Sequence, residues 1–562
     1  MTNSEISQKL KLAAQLMELH GENPFKIRSY QSAREVLSKL SVEVSSMDVN
    51  EIGNVEGIGK SLTQSILDLL STGTFDLLNS LREATPAGVV EMLRIPGFGP
   101  KKIGVLWKEA GAETLEDVLQ LCERQEVSAL KGFGDKTQST LMEAVIFIIG
   151  CRGKEKYANV EHAAEQIFKA IEKIDSVIKV AYTGAYRRNM EILEQLEYIV
   201  STTTFEATRN QINDLEIFTA NHLMSGPFTW VGEVAGCSLP VKITFALPEQ
   251  FILNWVRTSS SPKHWSQLRE LTAKPSVSLE SESKYYHSLG LDYIEPAMRE
   301  GVGEIELAAT NSLPELVQMT DLKGILHNHS TYSDGKHTLR QMAEYCRDLG
   351  YEYLGISDHS QTAVYANGLS EENVIRQQEE IKALNIELAP FKIFSGIESD
   401  ILADGSLDYS DALLSSFDFV VSSIHSGLVM DRTKATDRLL AAIHNPFTTI
   451  LGHMTGRLLL EREGYPVDHK VIIDACAVTK TVIEINASPY RLDMDWRWIS
   501  YAIEKGVMLS INPDAHKMEG YHDMKYGVLV GQKGGLTKRL TLNAMNLDAI
   551  EEFFTIKRNG GQ

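Results

Sequence analysis

The stretch LHNHSTYSDG, residues 326–335, decides how the C-terminal half of this chain is read. It extends an apolar run from Gly324 and carries two histidines one residue apart. Side chains on a strand repeat every second residue, so a strand here turns His327 and His329 to one face. Six further short apolar runs follow: YLGISDH, IFSGIESDI, FVVSSIH, TILGHM, TVIEINA and VMLSINPDAH. Helical stretches separate them, a β/α alternation that predicts parallel strands and a barrel. Each run ends in a side chain fit for acid–base or metal chemistry: His327, His329 and then Asp334; Asp358 and His359; Glu398; His425; His453; Glu484; Asp514 and His516. Residues at the C-terminal ends of barrel strands converge on one mouth. Imidazoles and carboxylates gathered there make a site for Zn²⁺ or Mn²⁺.

Outward from that half, 562 residues predict several domains, with expected boundaries at 1–150, 151–256, 257–318 and 319–562. Residues 1–150 read as helices joined by short glycine turns. Three of the turns share a pattern, NVEGIGKSL, RIPGFGPKKIG and LKGFGDKTQ: two glycines around an apolar residue, then a lysine and a new helix. Such turns present backbone N–H groups at a helix N-terminus to a phosphate. The candidates are Gly57, Gly59 and Lys60; Gly97, Gly99, Lys101 and Lys102; and Gly132, Gly134 and Lys136. From 155 to 256 the pattern is mixed, with helices over 161–174 and 187–194 and strands VIKVAYT, LEYIVSTT and LPVKITFAL. RTSSSPKHW and AKPSVSLESESKYY read as loops. A net charge of -20 excludes nucleic-acid binding through bulk charge, so any such contact is local. Five cysteines without a CxxC pair imply a reducing compartment and no zinc–thiolate site. With no signal-like N-terminus and no apolar run near ~20 residues, a cytoplasmic protein without a membrane span is expected.

The motifs LHNHSTYSDG, GISDHS, GIESDI, SSIHS, GHMTGR and NPDAH resemble those of the polymerase and histidinol phosphatase (PHP) family of phosphoesterases. The resemblance implies a distorted β/α barrel holding three divalent metals, Zn or Mn. It implies as ligands His327, His329, Asp334, His359, Glu398, His425, His453, Asp514 and His516, with Glu398 bridging two ions. Asp358 and Glu484 are expected to support ligands. Arg457 and Arg491 could clamp a phosphate or form salt bridges at the barrel rim. His337 and His444 lie outside the motifs and read as ordinary histidines.

The remainder resembles bacterial-type family X DNA polymerases, which join a helical lyase-like region with helix-hairpin-helix turns, a nucleotidyltransferase palm and a PHP domain in this order. GAYRRNMEILEQLEYIV, residues 184–200, falls where that family has Gly-Ser-x-Arg-Arg followed by Asp-x-Asp. Gly184, Arg187 and Arg188 match, whereas Gln195 and Glu197 stand at the two aspartates and Lys242 at the third carboxylate. Two-metal nucleotidyl transfer needs about three carboxylates around its ions, so Mg²⁺ is not expected in this palm and polymerisation is expected to be lost. Ser65 stands at the lyase lysine, while Lys26 and Arg28 are either phosphate contacts or solvated charges. The expected protein is a monomeric repair enzyme whose PHP domain hydrolyses DNA 3′–5′ at ends, gaps or single strands. The rivals are a phosphatase of small monoesters and a non-catalytic DNA-end scaffold.

Overall fold

The computed structural model describes residues 1–40, 42–271 and 279–558. It divides into two compact units, Met1–Arg152 and Gly153–Gln562.

The first unit is helical. Asn3–His20 opens with a Thr2/Glu5 capping box and stops at Gly21, whose φ of 72° an L-residue resists. Pro24–Lys39 packs back against it. In each of the three glycine turns the first glycine is left-handed, with φ of 89° at Gly57, 77° at Gly97 and 86° at Gly132. The second glycine is the N-cap of the next helix: Gly59 for Lys60–Thr72, Gly99 for Pro100–Lys108 and Gly134 for Asp135–Cys151. Ile58 and Phe98 between the glycines are buried, and Phe133 stacks on Phe98 at 6.3 Å.

The second unit begins with a five-stranded sheet of β1 (Lys179–Thr183), β2 (Leu196–Ser201), β3 (Phe218–Ala220), β4 (Thr229–Val234) and β5 (Val241–Ala246), in the order β1-β2-β5-β4-β3. The β2/β5 pair is parallel and the others antiparallel. Helix Tyr157–Glu172 buries Val160, Ala164, Ile167 and Ile171. The helix expected over 187–194 does not form. One helical turn, Gly184–Arg187, is followed by Asn189 at φ 56°, and Ile192–Leu193 then pairs with Glu155–Lys156 as a short ribbon. A residue in the left-handed region ends a helix, and the apolar pair beyond it finds a strand partner instead.

Helices Phe251–Thr258, Pro262–Glu270, Glu282–Ser288 and Glu304–Ala309 follow, around Val256, Leu268, Tyr286 and Ile294. Two stretches expected as loops are therefore partly helical: Ser261 caps the helix inside RTSSSPKHW, and Ser281 caps the one ending the other stretch. Serine and proline marked helix starts here rather than loops. Residues 272–278 of the second stretch lie outside the described residues.

The barrel comprises β6 (Gly324–Ile325), β7 (Tyr353–Ile356), β8 (Lys392–Asp400), β9 (Phe419–Ser423), β10 (Ile450–Leu451), β11 (Val482–Asn486) and β12 (Leu509–Asn512), all parallel and paired in chain order. Just beyond the strands, His329 N–H donates to Ala515 O at 2.9 Å and Asp514 N–H to His327 O at 3.1 Å, which joins β6 to β12. Farther down that join the Asn543 side chain spans the gap. Its amide donates to Gly324 O at 3.2 Å and Ile511 O at 2.6 Å and accepts from Ile511 N–H at 3.1 Å. Inside the barrel Phe394, Phe419 and Phe554 form a floor, with Phe554 supplied by helix Leu547–Arg558. Gly396 and Gly355 make room for the Phe419 ring, which a Cβ would meet at 2.3 and 2.7 Å. Above this floor the next inward residues are Glu398 and Asp400 on β8 and Glu484 on β11.

Candidate metal centre

Glu398 is 1% exposed and stands among five imidazoles. Its Oε1 lies 3.2 Å from His327 Nε2, 3.1 Å from His425 Nε2 and 3.0 Å from His453 Nε2. Its Oε2 lies 2.9 Å from His359 Nδ1 and 3.7 Å from His329 Nε2. Asp514 Oδ1 is 3.2 Å from His329 Nε2 and 3.6 Å from His327 Nε2. Asp334 Oδ1 is 3.4 Å from His516 Nε2 and 3.7 Å from His359 Nε2. The structure thus gathers all nine side chains expected as ligands. They fall into four overlapping donor sets: His327/His329/Glu398, His327/His453/Asp514, His359/Glu398/His425, and His329/Asp334/His359/His516.

These residues fit cations better than they fit one another. Buried polar atoms are normally hydrogen-bonded. Yet His327 Nε2, His359 Nδ1 and Glu398 Oε2 have no hydrogen-bond partner, although they lie within this cluster. Nitrogen and oxygen atoms that face a shared point without a well-formed hydrogen bond between them suit a divalent ion. Electrostatics agrees. Burial opposes a charge on His327, but Glu484, Glu398 and Asp514 hold its pKa well above the usual imidazole range. Burial likewise opposes charge on His425, which Glu398 and Asp400 nevertheless push up to about 10. Glu398, against the effect of burial, is held well below the ordinary carboxylate range by His425 and His327. His329, by contrast, is pushed down to about 3 by burial and by His516 and His359, so the carboxylates and imidazoles of the cluster divide between them the charge that bound cations would balance.

Neighbours fix the imidazoles. An ionised carboxylate only accepts, so His327 Nδ1–H donates to Glu484 Oε1 at 2.6 Å and Nε2 is presented to the cluster. Glu484 is saturated, accepting also from His453 N–H at 2.8 Å and Asn512 Nδ2 at 3.0 Å. Asp400 holds His425 Nδ1 in the same way. Asp400 had escaped the sequence reading, though it sits two residues beyond Glu398 on one strand face. Asn486 Nδ2 donates to Asp514 Oδ2 at 3.1 Å. The two histidines of the HNH run converge for a reason other than strand alternation: β6 ends at Ile325, and His327 is left-handed at φ 61°, as is Asp514 at 52°. Backbone strain of that kind concentrates at functional sites.

Other expected site residues have different tasks. Asp358 accepts from Ser330 N–H and Oγ, Ser333 Oγ and Gln377 Nε2, which ties the 330–333 turn down and leaves nothing for catalysis. Arg457 bonds Asp495 Oδ2 at 2.7 Å and the carbonyls of Arg491 and Leu492, which is the rim salt bridge expected as the alternative to a clamp. Arg491 is different: its Nε lies 3.8 Å from Asp514 Oδ2 beside the cluster. His337 Nδ1 accepts from Met518 N–H and His444 Nδ1 donates to Leu440 O.

In the sheet of the second unit, Glu197 and Lys242 are register partners on β2 and β5, joined by an ion pair of 3.3 Å. Gln195 precedes β2. Gly184, at φ 65°, lies so close to the Glu197 carboxyl that a Cβ would stand 1.8 Å from Oε2. Arg187 and Arg188, the two arginines that match the family motif, are both held by acids of the same unit. Arg187 forks onto Glu282 at 2.9 and 2.6 Å and stacks on Trp255 at 3.7 Å. Arg188 bonds Glu300, which also takes Lys533. Both guanidiniums are internal struts.

In the first unit Lys60, Lys101 and Lys136 are exposed beside their turns, as are Lys26 and Arg28, while Lys102 lies half-buried over Phe98. The helices starting at Gly59, Gly99 and Gly134 have no side-chain cap. A Cβ at any of these three glycines would meet nothing within 4 Å. Their φ values are ordinary, so the fold itself does not require glycine there. Ser65 is buried and bonds Ser61 O.

A β/α barrel carrying this donor cluster at its strand ends, on one chain with helix-hairpin-helix turns, defines a PHP-type metal-dependent hydrolase with a DNA-binding region. Comparison with known families agrees: a helix-hairpin-helix domain matches residues 1–75, a SAM-like helix-hairpin-helix tandem 89–145, and a PHP domain 326–488. The chain is 34% identical over 581 residues, spanning 100% of both proteins, to the DNA polymerase/3'-5' exonuclease PolX of Bacillus subtilis. It belongs to the PolX family. A probable phosphatase of Caldicellulosiruptor saccharolyticus is 26% identical over 203 residues, 34% of this chain and 78% of that protein. Among the described residues no helix is long and apolar enough to cross a membrane.

Proposed function

We propose that this chain is a 3′–5′ exonuclease that acts on DNA in repair, and that its palm no longer polymerises. The observation that carries the reading is Glu398 set among five histidines with buried donor atoms unmatched. Three divalent ions, Zn²⁺ or Mn²⁺, would be held by the nine residues of the cluster, with Glu398 common to two of the donor sets. Bound there, such ions supply a water activated near neutral pH and offset charge on phosphate oxygens. The chain contributes the rest. Glu484 and Asp400 fix the tautomers of His327 and His425, Asn486 orients Asp514, and Arg491 places a guanidinium beside Asp514, where a phosphate oxygen can meet it. The uncapped glycine turns bind the DNA backbone without reading bases, as backbone N–H groups do.

The palm reading rests on Lys242, whose ammonium pairs with Glu197 where an ion would need carboxylates. A phosphatase of small monoesters is the second reading, favoured by the phosphatase relative that aligns with a third of the chain. Helix-hairpin-helix turns count against it, since a small substrate has no use for them.

Incubating 5′-labelled DNA with the purified protein tests this. Stepwise shortening from the 3′ end with Mn²⁺, stopped by chelator, is expected. Release of phosphate from small monoesters without shortening of DNA would favour the phosphatase. Gly134→Val should raise the Kd for DNA by roughly 5- to 10-fold at a cost in stability of no more than about 1 kcal/mol, the loss of a favoured N-cap residue, because the space at that Cβ is open.

A further inference from the structure

The loop that leaves His359 holds an exposed tyrosine at the mouth of the metal centre. Residues 360–369 form a closed turn. Ser360 N–H donates to Glu398 O at 3.0 Å and Leu369 N–H to His359 O at 2.8 Å, so both feet of the loop stand on the cluster. Inside it Ala363 N–H bonds Ser360 O, Gly368 N–H bonds Ala363 O, and Thr362 is tied to Asp408 Oδ2 at 2.8 Å and Asp400 Oδ2 at 3.0 Å. Ala363 and Ala366 point inward and are buried. Val364 and Tyr365 between them are 82% and 70% exposed. The turn is therefore well braced, yet it spends that order on holding two large apolar side chains in water. The Tyr365 ring centre lies 6.1 Å from that of His359, tilted by 58°.

We propose that Tyr365 is a stacking platform for the terminal base of a DNA strand whose phosphodiester enters the metal centre. The inference rests on the exonuclease reading above and assigns it a positioning residue. The ring stands beside His359, a proposed ligand, so the base of a nucleotide whose phosphodiester enters the centre lies within its reach. An aromatic face accepts every base, which suits an enzyme that removes nucleotides in succession, and it demands an unpaired end. Val364 widens the apolar edge on which the base rests. Stacking on an aromatic side chain typically changes binding by roughly 5- to 100-fold on alanine substitution.

The test uses the full-length protein and single-stranded oligonucleotides carrying 2-aminopurine at the 3′ terminus, whose fluorescence falls when the base stacks. A second substrate carries an abasic residue at that terminus. For the unaltered protein, quenching on binding and a KM roughly 10-fold lower for the base-bearing end are expected. Tyr365→Ala should remove the quench and bring the two KM values together, while Tyr365→Phe should behave as the unaltered protein does. Quenching and a KM ratio unchanged in Tyr365→Ala would overturn the proposal, as would Tyr365→Phe behaving like Tyr365→Ala, since the hydroxyl rather than the ring would then be at work. If the unaltered protein hydrolyses neither substrate, the exonuclease reading falls. The quench, which needs no turnover, still decides whether the ring stacks a base.

Discussion

The sheet of the second unit and the barrel behind it both have charged residues at the ends of parallel strands, and they treat those charges in opposite ways. In the sheet the charges at the motif positions are matched from within: Glu197 by Lys242, Arg187 by Glu282, Arg188 by Glu300. In the barrel Glu398, His327 and His359 are sealed from water with donor atoms left over. Leaving a buried polar group unpaired costs about 1–3 kcal/mol. A fold keeps such a debt where a ligand settles it. On the function proposed above, internal neutralisation belongs to a site no longer used and unmatched burial to one that works.

The largest effect that can break this contrast is at Glu398. Glu398→Ala removes the carboxylate common to two donor sets and should lower the metal content. Hydrolysis of DNA is expected to fall by on the order of 10³-fold or more, with DNA binding retained. Metal analysis beside the nuclease assay checks both. Near-normal Mn²⁺-dependent degradation by this variant would show that the barrel is not the active site.

Next comes Glu282, which is buried between Arg187 and Arg299. Burial opposes its charge, but the two guanidiniums hold its pKa below the ordinary carboxylate value. The unfolded-state value is about 4.3. The stabilisation is thus complete above that pH and is lost as pH falls through the lower folded-state value. Glu282→Gln should cost about 3–5 kcal/mol near neutrality, the usual loss when one partner of a buried pair is removed. It should also flatten the acid limb of an unfolding titration. An unchanged acid limb would mean that the Arg187 strut carries no weight.

Asp400→Asn sharpens the comparison on the other side. It keeps the shape and an acceptor oxygen but removes the charge that holds His425, and metal affinity or activity should fall about 10- to 100-fold. Titration with Mn²⁺ reads this directly. The smallest effect is expected at Glu197. Its pair with Lys242 is partly exposed, so Glu197→Ala should shift stability by no more than about 1 kcal/mol and leave nuclease activity untouched. Template-directed primer extension that this variant abolishes would reverse the reading of the sheet as inactive.

Much of the barrel was legible because its signals are local. A strand shows as a short apolar run, and a ligand at its end needs no knowledge of what lies opposite. The glycine turns were legible for the same reason: a left-handed residue followed by a helix start leaves its mark within four positions. What escaped depends on distant partners. Arg187 looks like a phosphate contact until Glu282, 95 residues away, is seen to hold it. Arg457 reads as a clamp until Asp495 and two carbonyls take its donors. Asp400 could have been found, since it shares a strand face with Glu398. The left-handed turn at His327 could not, because nothing in HNH announces that the strand has already ended.

The join between β6 and β12 has two fastenings of different kinds. One is main chain, at His327, His329, Asp514 and Ala515; the other is a single side-chain amide, Asn543. The wall of the barrel is therefore a zip with a pin at its foot. Two of the strained residues at the metal mouth are teeth of that zip. Pulling the pin, some thirty residues downstream of Asp514 and far beyond His327 in sequence, would slacken the mouth from below: the geometry of the chemistry is held by a residue that never touches it.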